Sequence, residues 1–348
     1  MTSIRGVLRR RNIVKVAIAC AVSAPVSGHH SEAGIDLDSL LTFEATVTEF
    51  SWRNPHVYIA AETIDERGEP VEWALQMGSI VTATRTGWTR DSLIVGNRIT
   101  ARVHPARDGR PYGMLESIDK EGEVLSIGVL FTPQVTASAS TLEGRWIAAN
   151  PSELFDYPGG LDGFFNYHLN LTEAGKAAQA AYDELSDENP DSTCIGRPTP
   201  ASIVSSSLFP LEIQFDEAEE TILIRSAGSD EERTVYMDGR SHPDSGERSL
   251  GGHSTGRWDG AVLIVDTRNF ADHRSPYQVG VPSGAQKHVV EQYRLTEDGT
   301  RAAVDFMLED PEYMTAPMTH SRELIYSPQM EMSRFNCDPE AARRFVPR

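Results

Sequence analysis

Hydrophobic residues in this chain recur mostly at every second position, in short runs bounded by tight-turn dipeptides, and that period admits strands and little else. From Leu41 onward Phe43, Ala45 and Val47 face one way, with Thr42, Glu44 and Thr46 opposite. A turn at Arg53-Asn54-Pro55 leads to a second strand at 57–63, and a turn at Glu66-Arg67-Gly68 to a third at 70–76. Residues 79–86 read as one short helix ended by Gly87, and strands follow at 98–104 and 114–125 around the Asp108-Gly109 turn. Five strands with a helix between the third and fourth is the element order of an OB-type barrel.

Residues 132–140, Thr-Pro-Gln-Val-Thr-Ala-Ser-Ala-Ser, have linker composition. Beyond them an alanine-rich stretch at 171–185 is the one long helix expected. Strands then come in succession at 211–215, 221–225, 233–237, 255–258, 261–267, 288–295, 302–308 and 319–326, punctuated by Asp238-Gly239 and Asp259-Gly260. About eight antiparallel strands in sequence order predict an up-and-down, lipocalin-like barrel, with a sandwich as the alternative. The chain therefore reads as mainly β: an OB-like five-stranded barrel over 29–131, a linker at 132–140, and an antiparallel barrel with one helix over 141–348.

The first 28 residues stand apart. They carry Arg5, Arg9, Arg10, Arg11 and Lys15 with no acid, then a short apolar stretch at 16–26 ending in small residues. That is the pattern of an export signal, and it is too short for a membrane span. Arg10-Arg11 fits a twin-arginine (Tat) address as well as an arginine-rich Sec signal. A cut after Gly28 leaves a chain beginning His29-His30-Ser31, destined to be periplasmic or secreted. Composition fits: of 348 residues 39% are hydrophobic and 24% charged, which excludes disorder, and no long uncharged apolar run marks a transmembrane segment. A formal net charge of −19 repels phosphate backbones and argues against nucleic acid as a partner. After the leader only Cys194 and Cys337 remain, and in an oxidising compartment a pair is expected to form a disulfide.

Two sets of motifs carry a resemblance. His29-His30-Ser31, Trp52-Arg53-Asn54-Pro55-His56 and Gly87-Trp88-Thr89-Arg90-Asp91-Ser92-Leu93 resemble a family of secreted bacterial proteins known only as a domain of unknown function. Asp238-Gly239-Arg240-Ser241-His242-Pro243, the stretch from Gly252 to Gly260, and Asp310-Pro311-Glu312-Tyr313 are similar to a second group of exported, uncharacterised bacterial proteins. Members of that group tend to carry Pro-His-Ser-Glu before a Val-Val-Glu strand, where this chain reads Pro282-Ser283-Gly284-Ala285. The resemblance labels the chain and implies no activity.

Several residues are candidates for chemistry. A histidine freed as first residue chelates a metal through its α-amine and ring nitrogens, and one further imidazole completes a three-nitrogen set that favours copper. His29, with His30 or His56, is that candidate, and copper is the one cofactor with sequence support. His104 is in phase with Arg98, Thr100 and Arg102 and is expected to face solvent. Gly252-His253-Ser254-Thr255-Gly256 fits the G-x-S-x-G elbow but lacks the strand-to-helix setting that the elbow requires, so its glycines read as turn residues. His253, Arg257 and Trp258 are candidate ligand-binding residues of the second motif set. Glu291 shares a strand face with Val289, Tyr293 and Leu295; lining a barrel, such a carboxylate suits proton transfer. Arg225 and Tyr236, on neighbouring strands, are its candidate catalytic partners. No phosphate loop, dinucleotide fingerprint, H-E-x-x-H or C-x-x-C occurs.

These features predict an exported binding protein, with copper at the mature N-terminus and a small apolar ligand in the C-terminal barrel. The alternative is a cofactor-independent lyase or isomerase in which Glu291 abstracts a proton from a small-molecule substrate.

Overall fold

The computed structural model describes residues 34–127, 132–157, 160–244 and 246–347; the segment 1–28, read as an export signal, and His29 and His30 lie outside the described residues. The first unit comprises β1 (Leu41–Ser51), β2 (Tyr58–Ile64), β3 (Pro70–Gln76), α1 (Ile80–Arg85), β4 (Arg98–Pro105), β5 (Tyr112–Lys120) and β6 (Glu123–Ser126). Strand order β3-β2-β1-β4-β5 closes on itself through a parallel β3–β5 pairing that sets Leu75 beside Gly113. That is the OB-like barrel expected from the element order. Gly113 is obligatory at this seam, since a Cβ there would meet Val103 Cγ1 at 2.4 Å and the His104 carbonyl oxygen at 2.5 Å. The stretch 114–125, read as one strand, is a hairpin: Glu121 (φ 57°) and Gly122 (φ 90°) turn the chain between β5 and β6.

Alternation builds the core of this barrel. Val47, Ile59, Leu75, Ala101, Val103, Leu115 and Ile118 point inward, and α1 lays Ala83 over the end of the barrel beside buried Trp88. Ser79 caps α1 by accepting the Thr82 N–H at 3.3 Å. His104 faces outward as its phase predicted, with Nδ1 2.8 Å from the Ser39 carbonyl oxygen.

The second unit comprises β7 (Gly144–Ala148), β8 (Leu211–Asp216), β9 (Thr221–Ser226), β10 (Glu232–Tyr236), β11 (His253–Asp259), β12 (Val262–Arg268), β13 (His288–Leu295), β14 (Arg301–Glu309) and β15 (Met318–Tyr326). These nine form a closed barrel in the order β10-β11-β12-β13-β14-β15-β7-β8-β9. The ninth strand is β7, five residues beside the linker and too short to announce a period. Neighbours are antiparallel except β10 and β11, which run parallel because the chain between them, 237–252, returns along the barrel before re-entering the wall.

Between β7 and β8 lies an insertion with more helix than the sequence promised: α2 (Gly160–His168), α3 (Glu173–Ala180) and α4 (Ala201–Val204), with 3-10 turns at Pro151–Asp156, Pro190–Thr193 and Ser205–Ser207. The helix expected at 171–185 is limited to α3. α2 begins at Gly160 and contains Gly163, residues that weaken any helical reading. Phe164, Phe165, Ile203 and Val204 from the insertion join Trp146, Leu263, Val304 and Phe306 from the wall in one apolar cluster.

The C-terminal segment returns to the first barrel. The expected disulfide, Cys194–Cys337, is present with a Cα–Cα distance of 5.9 Å. A short helix, α5 (Pro339–Ala342), follows it, capped by Asp338, and Phe345 packs against Ile35, Tyr58, Ala106 and Tyr112 of the first unit.

Candidate functional site

Glu291 points into the second barrel, on the face it shares with Val289 and Tyr293, and is fully buried. Its expected partners do not meet it. β9 and β10 pair with Arg225 opposite Glu232 and Ile224 opposite Arg233, so Arg233 faces inward and Arg225 outward. The run Ile222-Leu223-Ile224 is apolar on both faces and left that phase open. Arg225 instead pairs with buried Glu212 at 3.0 Å on the outer face of the wall. Tyr236 also lies outside, stacked on His253 with ring centroids 5.1 Å apart and covered by Arg240.

What surrounds Glu291 is a closed polar network. One carboxylate oxygen accepts from the Thr199 hydroxyl, the other from Arg233 and from Tyr293 Oη at 2.7 Å. Arg233 donates further to Ser254 Oγ at 3.2 Å and Thr267 Oγ1 at 3.1 Å. Burial works against the guanidinium's charge, but Glu291, Tyr293 and Glu231 together outweigh it and hold Arg233 above its ordinary pKa. Each carboxylate oxygen thus has a donor within the protein, the arrangement of a structural ion pair. Trp146, Phe164, Phe165 and Phe306 belong to the apolar cluster of this barrel. Ser254 of the G-x-S-x-G stretch is part of this network, not an exposed nucleophile.

His253, Arg257 and Trp258 do not converge. His253 faces outward near the start of β11, while Arg257 and Trp258 are exposed toward its other end. His253 belongs to an outer-face relay that the sequence did not reveal. Its Nδ1 lies 2.9 Å from His242 Nδ1, His242 Nε2 lies 2.9 Å from Asp266 Oδ1, and His288 Nε2 lies 2.9 Å from Asp266 Oδ2. Partial burial opposes the Asp266 charge, but His288, Arg268 and His242 together hold its pKa down to about 2. Among the described residues no group of three or more His, Cys, Asp or Glu is arranged to hold a metal.

The first motif set does converge with something. The turn between β1 and β2 carries Trp52, Arg53 and Asn54, and Asn54 is a clamp. Its Oδ1 accepts the Ile80 N–H at 2.9 Å, its Nδ2 donates to the Phe335 carbonyl, and its own carbonyl accepts the Asp338 N–H at 2.7 Å. The clamp fixes the C-terminal segment 333–338 across the turn and leaves a cavity of about 700 Å³ between them. Trp52, Arg53, Ile80, Val81 and Arg90 line one side, Arg334, Phe335 and Asp338 the other. In the third stretch of this motif set, Trp88 and Leu93 are core residues, and Arg90 is the one that reaches the cavity. Arg53 is paired with Asp338 at 3.1 Å and Glu49 with Arg344 at 2.8 Å, whereas exposed Arg90 and Arg334 have no ion pair among the described residues. Sequence reasoning flagged Trp52 and Arg90 as motif residues; that 333–338 folds back over them had no local signal.

His56, just after the clamp, is buried. Its Nδ1–H donates to the Met77 carbonyl at 3.2 Å, and its Nε2 has no hydrogen-bond partner among the described residues. Burial pushes its pKa down to about 4, against the pull of Asp191, so the ring is neutral and its lone pair free near neutral pH.

Residues 17–116 match a family of unknown function, DUF6152. The matched stretch includes both motif segments on the near side of the cavity. No curated protein matches the chain. Among solved structures, a crystal structure of a mutant of the fluorescent protein UnaG is similar at 12% identity, over 53% of this chain and 96% of that one, with a TM-score of 0.24.

Proposed function

We propose that this chain is an exported binding protein that carries a small amphiphilic anion in the cleft between its first barrel and the C-terminal segment 333–338. The leader, the disulfide and the lack, among the described residues, of any helix long and apolar enough to cross a membrane support the exported part of this reading. One observation carries the ligand: in a chain of net charge −19, two arginines without acidic partners among the described residues, Arg90 and Arg334, face one cavity floored by Trp52, Ile80 and Phe335. Cations beside an aromatic and aliphatic surface select a carboxylate, sulfonate or phosphate joined to an apolar body. Titration calorimetry with 1-naphthalenesulfonate and with the cation 1-naphthylmethylamine tests it. The sulfonate is expected to bind and the amine not to, and Arg90→Ala with Arg334→Ala to weaken the sulfonate by about tenfold or more. Equal affinity for both probes, or an unchanged affinity in the double variant, overturns the reading.

A second reading, copper held by His29, His30 and His56, is favoured by the state of His56. Its Nδ1–H is fixed on a backbone carbonyl and its Nε2 lone pair is uncommitted, the disposition of a metal-ligating imidazole. The lyase or isomerase reading through Glu291 has no such support, because that carboxylate is fully engaged.

A further inference from the structure

The chain has only four lysines, Lys15, Lys120, Lys176 and Lys287, and one of them is buried. Lys287 immediately precedes β13 and is 2% exposed. Its ammonium nitrogen lies 4.2 Å from the Phe270 ring centroid and 4.9 Å from that of Tyr277. Its hydrogen bond is a long one, 3.5 Å to Ser283 Oγ. Buried lysines ordinarily sit against a carboxylate.

Asp310, just after β14, accepts the Gly284 N–H through Oδ2 at 2.7 Å and is also stabilised by the Glu312 backbone, while its buried Oδ1 has no hydrogen bond of ordinary geometry among the described residues. The Tyr277 hydroxyl is likewise buried without a partner there. Asp310 acts electrostatically on both Lys287 and Tyr277, so the three form one neighbourhood at the end of the barrel. Gly284 admits the carboxylate, since a Cβ at that position would meet Asp310 Oδ1 at 2.3 Å. This is the loop where the chain departs from its second resembling group. An amine held by one long hydrogen bond, a carboxyl oxygen and a phenol share this neighbourhood, and among the described residues neither the oxygen nor the phenol has a hydrogen-bond partner.

We propose that Lys287 is a carbonyl-capturing nucleophile that forms an imine with a small aldehyde or ketone, with Asp310 moving the protons. The lysine nitrogen lone pair attacks the carbonyl carbon, and the C=O π pair goes to oxygen, which takes a proton from the Asp310 carboxyl. The nitrogen returns a proton to Asp310, which then protonates the departing hydroxyl. Water leaves as the C=N bond forms, and the iminium's N–H proton restores the acid. Amine and carbonyl become imine and water, with no oxidant or reductant required. Electrostatics support the geometry: burial pulls the Lys287 ammonium down to about 7 against Asp310 and Glu231, and burial raises the Asp310 carboxyl. His273 adds a further charge-sensitive group facing the same amine. This inference is independent of the anion cleft.

The remaining described lysines are built-in controls, since Lys120 donates to the Ser92 carbonyl and Lys176 is exposed beside Glu173. The full disulfide-bonded chain is treated with propanal and sodium cyanoborohydride near neutral pH, and propylated lysines are mapped by peptide mass spectrometry. Lys287 is expected to label about tenfold faster than Lys176 in the native protein and no faster in urea. Asp310→Asn is expected to slow labelling at Lys287 by about a hundredfold while leaving Lys176 unchanged. Labelling of Lys287 no faster than Lys176 in the native wild-type chain overturns the proposal, whether or not the variant folds. An unchanged rate in folded Asp310→Asn overturns the role of the carboxyl.

Discussion

Arg233 and Glu291 meet inside the second barrel from strands three places apart in the wall, β10 and β13, and 58 residues apart in sequence. Neither has solvent to fall back on, so the pair fixes how the two halves of the wall close. Removing one charge leaves the other buried without its counterion. Glu291→Gln is therefore expected to destabilise the fold by about 3–5 kcal/mol, and Arg233→Met with Glu291→Met together by much less. Urea denaturation of the two variants checks this; equal losses would show that the pair is not coupled.

The cleft depends on a tether. Cys337 forms a parallel bridge with Asn54 and a disulfide with Cys194, so one residue ties the cavity's outer wall to both barrels. The crosslink spans 143 residues, for which chain entropy alone gives about 4–5 kcal/mol, with less in practice. Cys194→Ala with Cys337→Ala is expected to lower the thermal midpoint and to weaken naphthalenesulfonate more than Asn54→Asp does. Calorimetry alongside thermal melts separates the two effects, and a variant that melts earlier but binds as wild type would exclude the tether from the site.

Much of the fold was legible because alternation is local. The β3 and β13 boundaries and the face that Glu291 shares with Val289 and Tyr293 follow directly from period two. The misassigned partners show where that signal ends. Arg225 sits in an Ile-Leu-Ile-Arg run whose two faces are equally apolar, while Arg233 looks like a surface charge until its partner arrives from β13. Lys287 escaped notice for a related reason: it lies in a polar loop, and only the return of 269–287 over the barrel end buries it. The cleft needed the C-terminal segment to cross Trp52, a contact between residues nearly 300 positions apart that no window of sequence contains.

Burial of Lys287 makes stability pH-dependent in a defined direction. Its folded pKa, about 7, lies below the ordinary 10.5, so between those values the unfolded chain holds more protons and stability rises with pH. Below that window the full cost of burying the ammonium is present; above it the cost is gone. Lys287→Met removes the group, so the variant is expected to gain most over wild type at about pH 6 and least at about pH 10. Urea midpoints at the two pH values measure this, and a gain independent of pH would mean that the lysine is solvated in the fold.

Copper at the mature N-terminus makes a demand on distance. Gly34 donates its N–H to Glu184 Oε1 at 3.3 Å, and the charge of Asp191 acts on His56, so the first described residue and the candidate ligand both border the 184–191 segment. His29 lies five positions before Gly34, so the site requires the His56 ring to be within an extended reach of roughly 17 Å from Gly34. Protein exported from its natural host and purified without chelator is expected to retain about one copper, bound through nitrogen donors in its paramagnetic spectrum. His56→Gln should lower copper affinity by about tenfold or more, while His104→Gln, whose ring is held by the Ser39 carbonyl, should not change it. N-terminal sequencing is the decisive companion measurement: a mature chain that begins anywhere but His29 has no amine and imidazole on the same residue to grip the ion, and the site fails whatever His56 does.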